Sequence, residues 1–328
     1  MCIRDRADHV TDLCQALGRL WSFADMLSPA RRWYTRVLDA GLLTGLGRAR
    51  VLRMRAGIEL HFDPVRVRED LAEALPVFER EEAYLDLVAA HGAACIERSA
   101  SGDRDAAVQH ARACVEAARH GTDERLADAL GMHSSVVAGV HPEEAEETAR
   151  EAWALVTRTG SAAAVASVGT NVAWALVGLG RPEAAREVLD RALDRLKAGE
   201  VPMFLRLHRG WVLLACDDPR GALADFSRVV AVSGAALEGR WLAEVYLGTA
   251  FALAATGHRA APELLAGAEA MVARAGLVVS AWQEDLRAVA HERAAAVGPA
   301  PWGAEAATGG ALAALVRSVA DEESVTGR

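Results

Sequence analysis

The sequence predicts an all-α fold built from a repeated pair of helices. A block that begins with a small or short apolar residue recurs along the chain, and the residues four and seven positions later are again small or apolar. These offsets lie on one face of a helix, so each block provides a stripe that a neighbouring helix can cover. Successive blocks are 37 to 40 residues apart, a period typical of helical repeat proteins. The blocks start at Ala30, Val67, Ala107, Ala145, Ala185, Ala222 and Ala261.

Each repeat is predicted to contain a first helix, called A, a short turn, and a second helix, called B, that carries the small residues. In the turn at residues 180–183 a glycine ends the A helix and Pro182 begins the B helix, where its missing N–H costs nothing. Turns rich in Gly, Asp or Pro occupy the same place at residues 101–103, 141–144 and 217–220. No stretch alternates apolar and polar residues with the period of a strand, so we expect the chain to be nearly all helix.

Composition and charge exclude several functional classes. The chain has 328 residues and a formal charge of −9, with acidic and basic residues interspersed. A nucleic-acid groove needs a basic face, so we expect no direct contact with nucleic acid. No apolar run reaches transmembrane length and no signal peptide is evident, which predicts a cytoplasmic protein without membrane contact. The five cysteines are odd in number and widely spaced, which predicts buried reduced thiols rather than disulfides or a zinc site.

The two ends of the chain differ from the repeats between them. Residues 1–6 (MCIRDR) resemble the translation of a sequencing adaptor, so we interpret them as an artefact and expect the natural protein to extend upstream. Residues 7–297 are predicted to form the solenoid. Residues 298–328 contain two prolines, a Gly-Gly pair and a final acidic stretch, which predicts a capping helix followed by a frayed tail.

The sequence lacks the minimal motifs of several enzyme classes. It contains no Gly-Lys-Ser/Thr phosphate loop, no His-Glu-x-x-His, no paired CxxC and no Gly-x-Ser-x-Gly. His133, Ser134 and Ser135 place a base beside hydroxyl groups, but adjacent helical residues point in different directions and no acid partner is fixed by spacing. We therefore expect no catalytic residue, no cofactor and no metal site. An all-helical enzyme is the least favoured of three functional classes.

Three aromatic residues recur at the same position of consecutive A helices. Trp174 and Trp211 lie eleven residues before a B-helix block, and Phe251 lies ten before the next. Two interpretations stay open: the rings fill gaps between neighbouring A helices, or they form a ladder that anchors a peptide or apolar ligand. Trp241 and Trp282, in contrast, are predicted to be packing residues. The candidate groove contacts are Asn171, Trp174, Arg206, His208, Arg209, Trp211, Glu244 and Phe251.

The repeat pattern resembles the tetratricopeptide (TPR) family of helix-turn-helix repeats. Gly180, Ala185, Leu189 and Ala192 match the family's spacing of a turn glycine and small B-helix residues, although the period here exceeds the family's 34 residues. The resemblance implies a right-handed α-solenoid of about seven TPR-like helix-turn-helix repeats. Such solenoids usually bind through the surface lined by their A helices, where the candidate residues fall.

The ends of the repeat region resemble a more specific group. Residues 20–23 (LWSF) with 30–33 (ARRW), and residues 264–270 (LLAGAEA), are similar to the helical region of bacterial STAND-type ATPase regulators of the LuxR and SARP kinds. This resemblance implies a non-enzymatic sensor or interaction arm of a signalling or transcriptional regulator. Its partner would be a protein, a peptide or the upstream ATPase domain of the same polypeptide. A free-standing TPR scaffold that binds an extended peptide is the alternative.

Overall fold

In the computed structural model the protein is described at residues 9–18, 27–197, 201–233, 239–274 and 278–298. Within these ranges the backbone forms fifteen α-helices joined by turns and no strand. Successive helices pack against one another in neighbouring pairs, so the prediction of an all-α, solenoid-like repeat is confirmed. The predicted artefact at residues 1–6, the tail after Gly298 and the segment around Trp21 lie outside the described residues.

Contacts between helices divide the chain into two compact units, Met1–Ala129 and Leu130–Arg328, and the boundary falls within α7. The single array predicted over residues 7–297 therefore comprises two such units. The helices up to the boundary are α1 (residues 9–18), α2 (Leu27–Asp39), α3 (Gly45–Glu59), α4 (Pro64–Arg80), α5 (Tyr84–Ala100), α6 (Arg104–Ala118) and α7 (Asp123–Val137). In the A/B nomenclature, odd-numbered helices are A helices and even-numbered helices are B helices.

The second unit continues the same alternation. Its helices after α7 are α8 (Pro142–Thr159), α9 (Ala162–Gly178), α10 (Pro182–Asp194), α11 (Met203–Ala215), α12 (Pro219–Ser233), α13 (Gly239–Ala255), α14 (Ala261–Arg274) and α15 (Ala281–Val297). Within this unit α9, α11 and α13 each pack against the B helix that follows them, and α11 also contacts both α9 and α13. One side of the unit is therefore formed by A helices only.

Four of the turns from A to B helices share one backbone geometry. In each of them the second residue after the helix has a positive φ: Gly102 (80°), Gly180 (73°), Asp217 (55°) and Gly257 (70°). The next N–H then donates back to a carbonyl five residues earlier at 2.8–2.9 Å, as in a Schellman cap. The turn before α8 differs, because the His141 N–H donates to the Val137 carbonyl four residues earlier. This turn precedes the block at Ala145.

The core of the second unit is fixed by an aromatic residue that fits against two glycines. Phe226 of α12 is fully buried and lies between Gly210 of α11 and Gly248 of α13. A Cβ added at Gly210 would lie 2.6 Å from the Phe226 ring, and one added at Gly248 would lie 2.4 Å from it. Only glycine allows the ring to approach both A helices this closely, so this contact sets the spacing of α11, α12 and α13.

Candidate binding site on the A helices of the second unit

Four aromatic side chains, one from each of four A helices, form a partly exposed group that we call the aromatic cluster: Trp174 (α9), His208 (α11), Trp241 (α13) and Trp282 (α15). Trp174 makes edge-to-face contacts with His208 at 5.2 Å and with Trp282 at 4.7 Å between ring centroids. His208 contacts Trp241 edge-on at 6.2 Å. These separations are those of favourable aromatic pairs, so the rings hold one another in place while part of each faces solvent.

Two members of the predicted aromatic ladder lie beneath this cluster. Trp211 has no exposed surface and Phe251 is 3% exposed. Their rings meet edge-to-face at 5.6 Å, and Trp211 also contacts Phe226 at 6.0 Å. Of the two interpretations of the ladder, packing between neighbouring helices describes Trp211 and Phe251. Trp174, the third member, is the one that keeps an exposed surface.

Trp282 links the buried and exposed rings. Besides its contact with Trp174, its indole lies 6.2 Å from that of Trp211. The apolar helix faces around Trp241 and Trp282 predict packing residues, so the part that these two rings play in the cluster is not predicted. They are 41 residues apart, close to one repeat period, and each lies near the start of an A helix. That periodicity was the signal available in the sequence.

The imidazole of His208 is oriented by its own helix. Its Nδ1 lies 2.7 Å from the carbonyl oxygen of Phe204. A carbonyl oxygen can only accept, so Nδ1 carries the proton of this hydrogen bond. The bond holds the ring against the indoles on either side and fixes its tautomer in the neutral state.

The two arginines predicted beside the ladder pair with carboxylates of the chain itself. Asp225 of α12, 3% exposed, accepts from Arg206 at 3.3 Å and from Arg209 at 2.6 Å. Arg209 also donates to Asp190 of α10 at 2.8 Å. Burial alone would lower the pKa of Arg209, but the charges of Asp225 and Asp190 and their hydrogen bonds raise it. Both guanidinium groups therefore connect neighbouring helices of the chain and are already paired with carboxylates of the chain itself.

Asn171 and Glu244, the two remaining candidate contacts, share helix faces with the cluster. Asn171 lies three residues before Trp174 on α9, and Glu244 lies three residues after Trp241 on α13. Residues three apart are neighbours on a helix surface. Both side chains are partly exposed, so they provide an amide and a carboxylate beside the aromatic rings.

A small cavity of about 50 Å³ lies between α15 and the C-terminal halves of α11 and α13. Phe251 and Leu214 line one side, and Leu286, Val289 and Ala290 of α15 line the other. The lining is largely apolar, with Asp217 and Arg293 at its polar margin. A space of this size accepts one side chain at most.

The groups considered for catalysis are engaged in helix contacts. Ser134 Oγ donates to the Gly131 carbonyl at 2.6 Å and is fully buried, and Ser135 Oγ donates to the Met132 carbonyl at 2.7 Å. Burial raises the pKa of Cys95 and of Cys114 to about 12, so both thiols stay protonated and are poor nucleophiles at neutral pH. In the part of the chain that the structure describes, no group of three or more His, Cys, Asp or Glu side chains is arranged to hold a metal ion.

Comparison with known proteins found no match for this chain, either among protein-family models or among curated proteins. None of the helices within the described ranges combines the length and the apolar character needed to cross a bilayer.

Proposed function

We propose that this chain is a helical-repeat interaction domain that binds a protein or peptide through the aromatic cluster. The observation that carries the proposal is the presence of four partly exposed rings on four A helices, held edge-to-face at 4.7–6.2 Å. Aromatic side chains supply large contact areas at little cost in conformational entropy, which is why they dominate binding hot spots. The neighbouring Asn171 and Glu244 provide polar groups that can orient a bound segment.

The resemblance to STAND-type regulators supports a cellular role for this binding. We propose that the domain acts in the bacterial cytoplasm as the non-enzymatic sensor arm of a signalling or transcriptional regulator. Binding of an inducer protein or peptide to the arm would be transmitted to the upstream ATPase domain of the same polypeptide. Recovering the genomic sequence upstream of Ala7 tests this role: a nucleotide-binding domain there supports it, and an unrelated short leader contradicts it. A free-standing TPR scaffold is the alternative in that second case.

The binding proposal is tested by selecting peptides from a random phage-displayed library on the full chain and measuring their affinity by fluorescence anisotropy. Trp174→Ala should weaken binding of the selected peptides by about tenfold or more, as expected for an aromatic anchor. Trp153→Ala is the matched control, because Trp153 is also partly exposed but lies on the B helix α8. Binding that is equally strong in wild type and Trp174→Ala would contradict the assignment of the site.

A further inference from the structure

The last described helix, α15, departs from the packing order of the repeats. A helix that simply continued the stack would contact α13 and α14, and α15 does so. It also reaches α9, which lies three A helices earlier. Trp282 accounts for this reach, because its ring contacts both Trp174 of α9 and Trp211 of α11. Therefore α15 lies across the side formed by α9, α11 and α13 instead of extending it.

The apolar face that α15 presents to this side is narrow. Trp282, Leu286, Ala290 and Ala294 follow one another at helical spacing, and of these only the two alanines are buried. Val289 and Val297 remain exposed. A helix held by one indole, one leucine and two alanines buries less apolar surface than the helices inside the stack, each of which is covered on both sides.

Polar contacts add to this packing but lie near solvent. Arg287 Nε and His291 Nε2 both lie 2.7 Å from Glu269 Oε1 of α14, with side-chain exposures of 34% and 51% for the arginine and histidine. Arg293 donates to the Ala255 carbonyl at 3.3 Å. Exposed ion pairs of this kind contribute little to stability, because water and salt screen them.

The fit beneath α15 is also incomplete. The indole N–H of Trp211 is buried and has no hydrogen-bond partner. The cavity of about 50 Å³ is lined on one side by Leu286, Val289 and Ala290 of α15. An unsatisfied buried donor disfavours the docked arrangement relative to an occupant that supplies an acceptor, and the space at the cavity has room for a larger side chain.

We propose that the side formed by α9, α11 and α13 binds an amphipathic helix of a protein partner, and that α15 is the intramolecular occupant that this helix displaces. The inference rests on the proposed function and specifies its partner. Trp174, His208 and Trp241 stay on the binding side, and Trp282 is the ring of the cluster that an aromatic residue of the partner replaces. The occupant seen in the structure defines the chemistry required: an aromatic residue, aliphatic residues four and eight positions later, and a basic residue on the side facing Glu269. Amphipathic helices bind grooves through apolar anchors that recur on one helix face in this way.

The experiment uses a fluorescein-labelled peptide of residues 278–298, the sequence of α15, as the probe and the full chain as the receptor. In wild type the attached α15 competes at high effective concentration, so the probe should bind weakly. Trp282→Ala in the receptor should weaken the competitor and tighten probe binding by about tenfold or more. Glu292→Ala, at an exposed position of the same helix, is the matched control and should leave probe binding unchanged.

Two additional measurements distinguish the release of α15 from misfolding of the variant protein. Arg287→Gln in the receptor removes the attached guanidinium that pairs with Glu269 without altering the apolar face. The probe keeps its own arginine, so this variant should also tighten probe binding, by less than Trp282→Ala does. Hydrogen exchange should become faster in α15 of both variants while exchange in α13 stays as in wild type. The same probe carrying Trp282→Ala should not bind.

Three results would overturn the inference. The first is probe affinity that is the same for wild type, Trp282→Ala and Arg287→Gln. The second is exchange in α15 that is as slow as in α13 and unchanged by either variant. The third is a dimer formed by exchange of α15 between two copies, detected by light scattering, which would make a second copy the occupant. Library peptides that bind through Trp174 while the α15 probe fails would reject this inference alone, whereas failure of both would also reject the proposed function.

Discussion

Both units join their helices through arginine–carboxylate pairs and buried aromatic residues, but they differ in how the aromatic rings meet. In Met1–Ala129 Tyr34 and Phe78 are fully buried and several ion pairs connect different helices. In Leu130–Arg328 Arg206 and Arg209 pair with Asp225, and the buried Trp211 also packs edge-to-face against Phe226 and Phe251. The pairs of the first unit that join different helices include Arg31–Glu59, Arg48–Glu73, Arg50–Asp86, Arg55–Asp70 and Arg68–Glu97.

The difference bears on binding, because a buried ion pair has a fixed partner within the chain and an exposed aromatic ring does not. A guanidinium that donates two hydrogen bonds to a buried carboxylate, as Arg55 does to Asp70 at 2.6 and 2.8 Å, is satisfied within the fold. An aromatic ring can make further apolar contacts on any face that is exposed, because the hydrophobic effect is not directional. The buried ion pairs thus have fixed partners within the chain, whereas the exposed rings of the second unit carry the binding proposed above.

The largest effect is expected from removing the ring that interlocks the second unit. Phe226→Ala should lower the free energy of unfolding by about 4 kcal/mol, because it leaves a cavity between Gly210 and Gly248. Gly248→Ala should be similarly damaging, since the added Cβ would lie 2.4 Å from the ring. Urea unfolding followed by circular dichroism measures both.

Gly57 provides the control for this prediction. It lies inside α3 of the first unit, and an added Cβ there would meet no atom within 4 Å. Gly57→Ala should therefore be neutral or slightly stabilising. If Gly248→Ala were as well tolerated as Gly57→Ala, the aromatic interlock would not determine the packing of the second unit.

The period of the small residues was sufficient to predict the class of fold and the helix pairs. It predicted the turns at Gly102, Gly180 and Asp217 because turn chemistry is local and depends on a few adjacent residues. The position of α15 was not predictable in the same way. The sequence around Trp282 shows an apolar helix face, but whether that face extends the stack or crosses three earlier helices depends on tertiary contacts.

The candidate site was only partly predictable for the same reason. The repeat spacing predicts Trp174, and His208 is predicted as a residue that flanks the ladder; both belong to the aromatic cluster. Spacing cannot show how deeply a residue is buried, so Trp211 and Phe251 were grouped with Trp174 although the core encloses them. Likewise, Arg206 and Arg209 appeared available because Asp225, which binds both, is contributed by a different helix.

The second largest effect is expected at the buried ion pair of the first unit. Asp70→Ala should cost about 3 kcal/mol, because it leaves the guanidinium of Arg55, whose side chain is 9% exposed, without its carboxylate. Arg48→Ala is the matched surface control: Arg48 and Glu73 are 33% and 51% exposed, so its loss should cost well under about 1 kcal/mol. Denaturant unfolding of both variants checks the difference.

A double variant sharpens this comparison of pairing with packing. Arg55→Met combined with Asp70→Ala removes both charges and should recover most of the stability lost in Asp70→Ala alone. An equal loss in the single and the double variant would show that the pair contributes through its shape and not through its charge. The first unit would then be held together by packing, like the second.

A moderate effect is expected from acid on the first unit. Nδ1 of His91 in α5 and Nδ1 of His110 in α6 lie 3.1 Å apart, so one donates and the other accepts. Burial, followed by the charge of His110, lowers the pKa of His91 to about 4, and burial also lowers the pKa of His110. The unfolded chain therefore binds protons more readily than the folded chain between about pH 6.5 and 4.

The stability contributed by this pair should be complete above about pH 6.5 and decline as the pH falls toward 4. Allowing for partial solvent screening, we expect a loss of about 1 kcal/mol between pH 7 and pH 5. Hydrogen exchange of α5 amides at the two pH values, corrected for intrinsic rates, measures this loss. His91→Asn should reduce the pH dependence, because an amide in place of Nδ1 does not titrate. A pH response that is unchanged in this variant would assign it to other groups.

The smallest effect is expected at the left-handed position of two equivalent turns, one in each unit. Between α5 and α6 the left-handed position is Gly102 with φ 80°, whereas between α11 and α12 it is Asp217 with φ 55°. A side chain is strained in this region and glycine is not, so Asp217→Gly should raise the free energy of unfolding by about 0.5 kcal/mol. The converse change, Gly102→Asp, should lower it by a similar amount. Paired urea titrations compare the two variants.

The two turns are equivalent in hydrogen bonding. The Asp218 N–H donates to the Leu213 carbonyl at 2.8 Å, and the Asp103 N–H donates to the Arg98 carbonyl at 2.9 Å. The free energy of unfolding should therefore change in opposite directions in the two variants. A loss of stability in both would mean that Asp217 also stabilises the protein outside the turn, for example at the edge of the cavity that α15 lines.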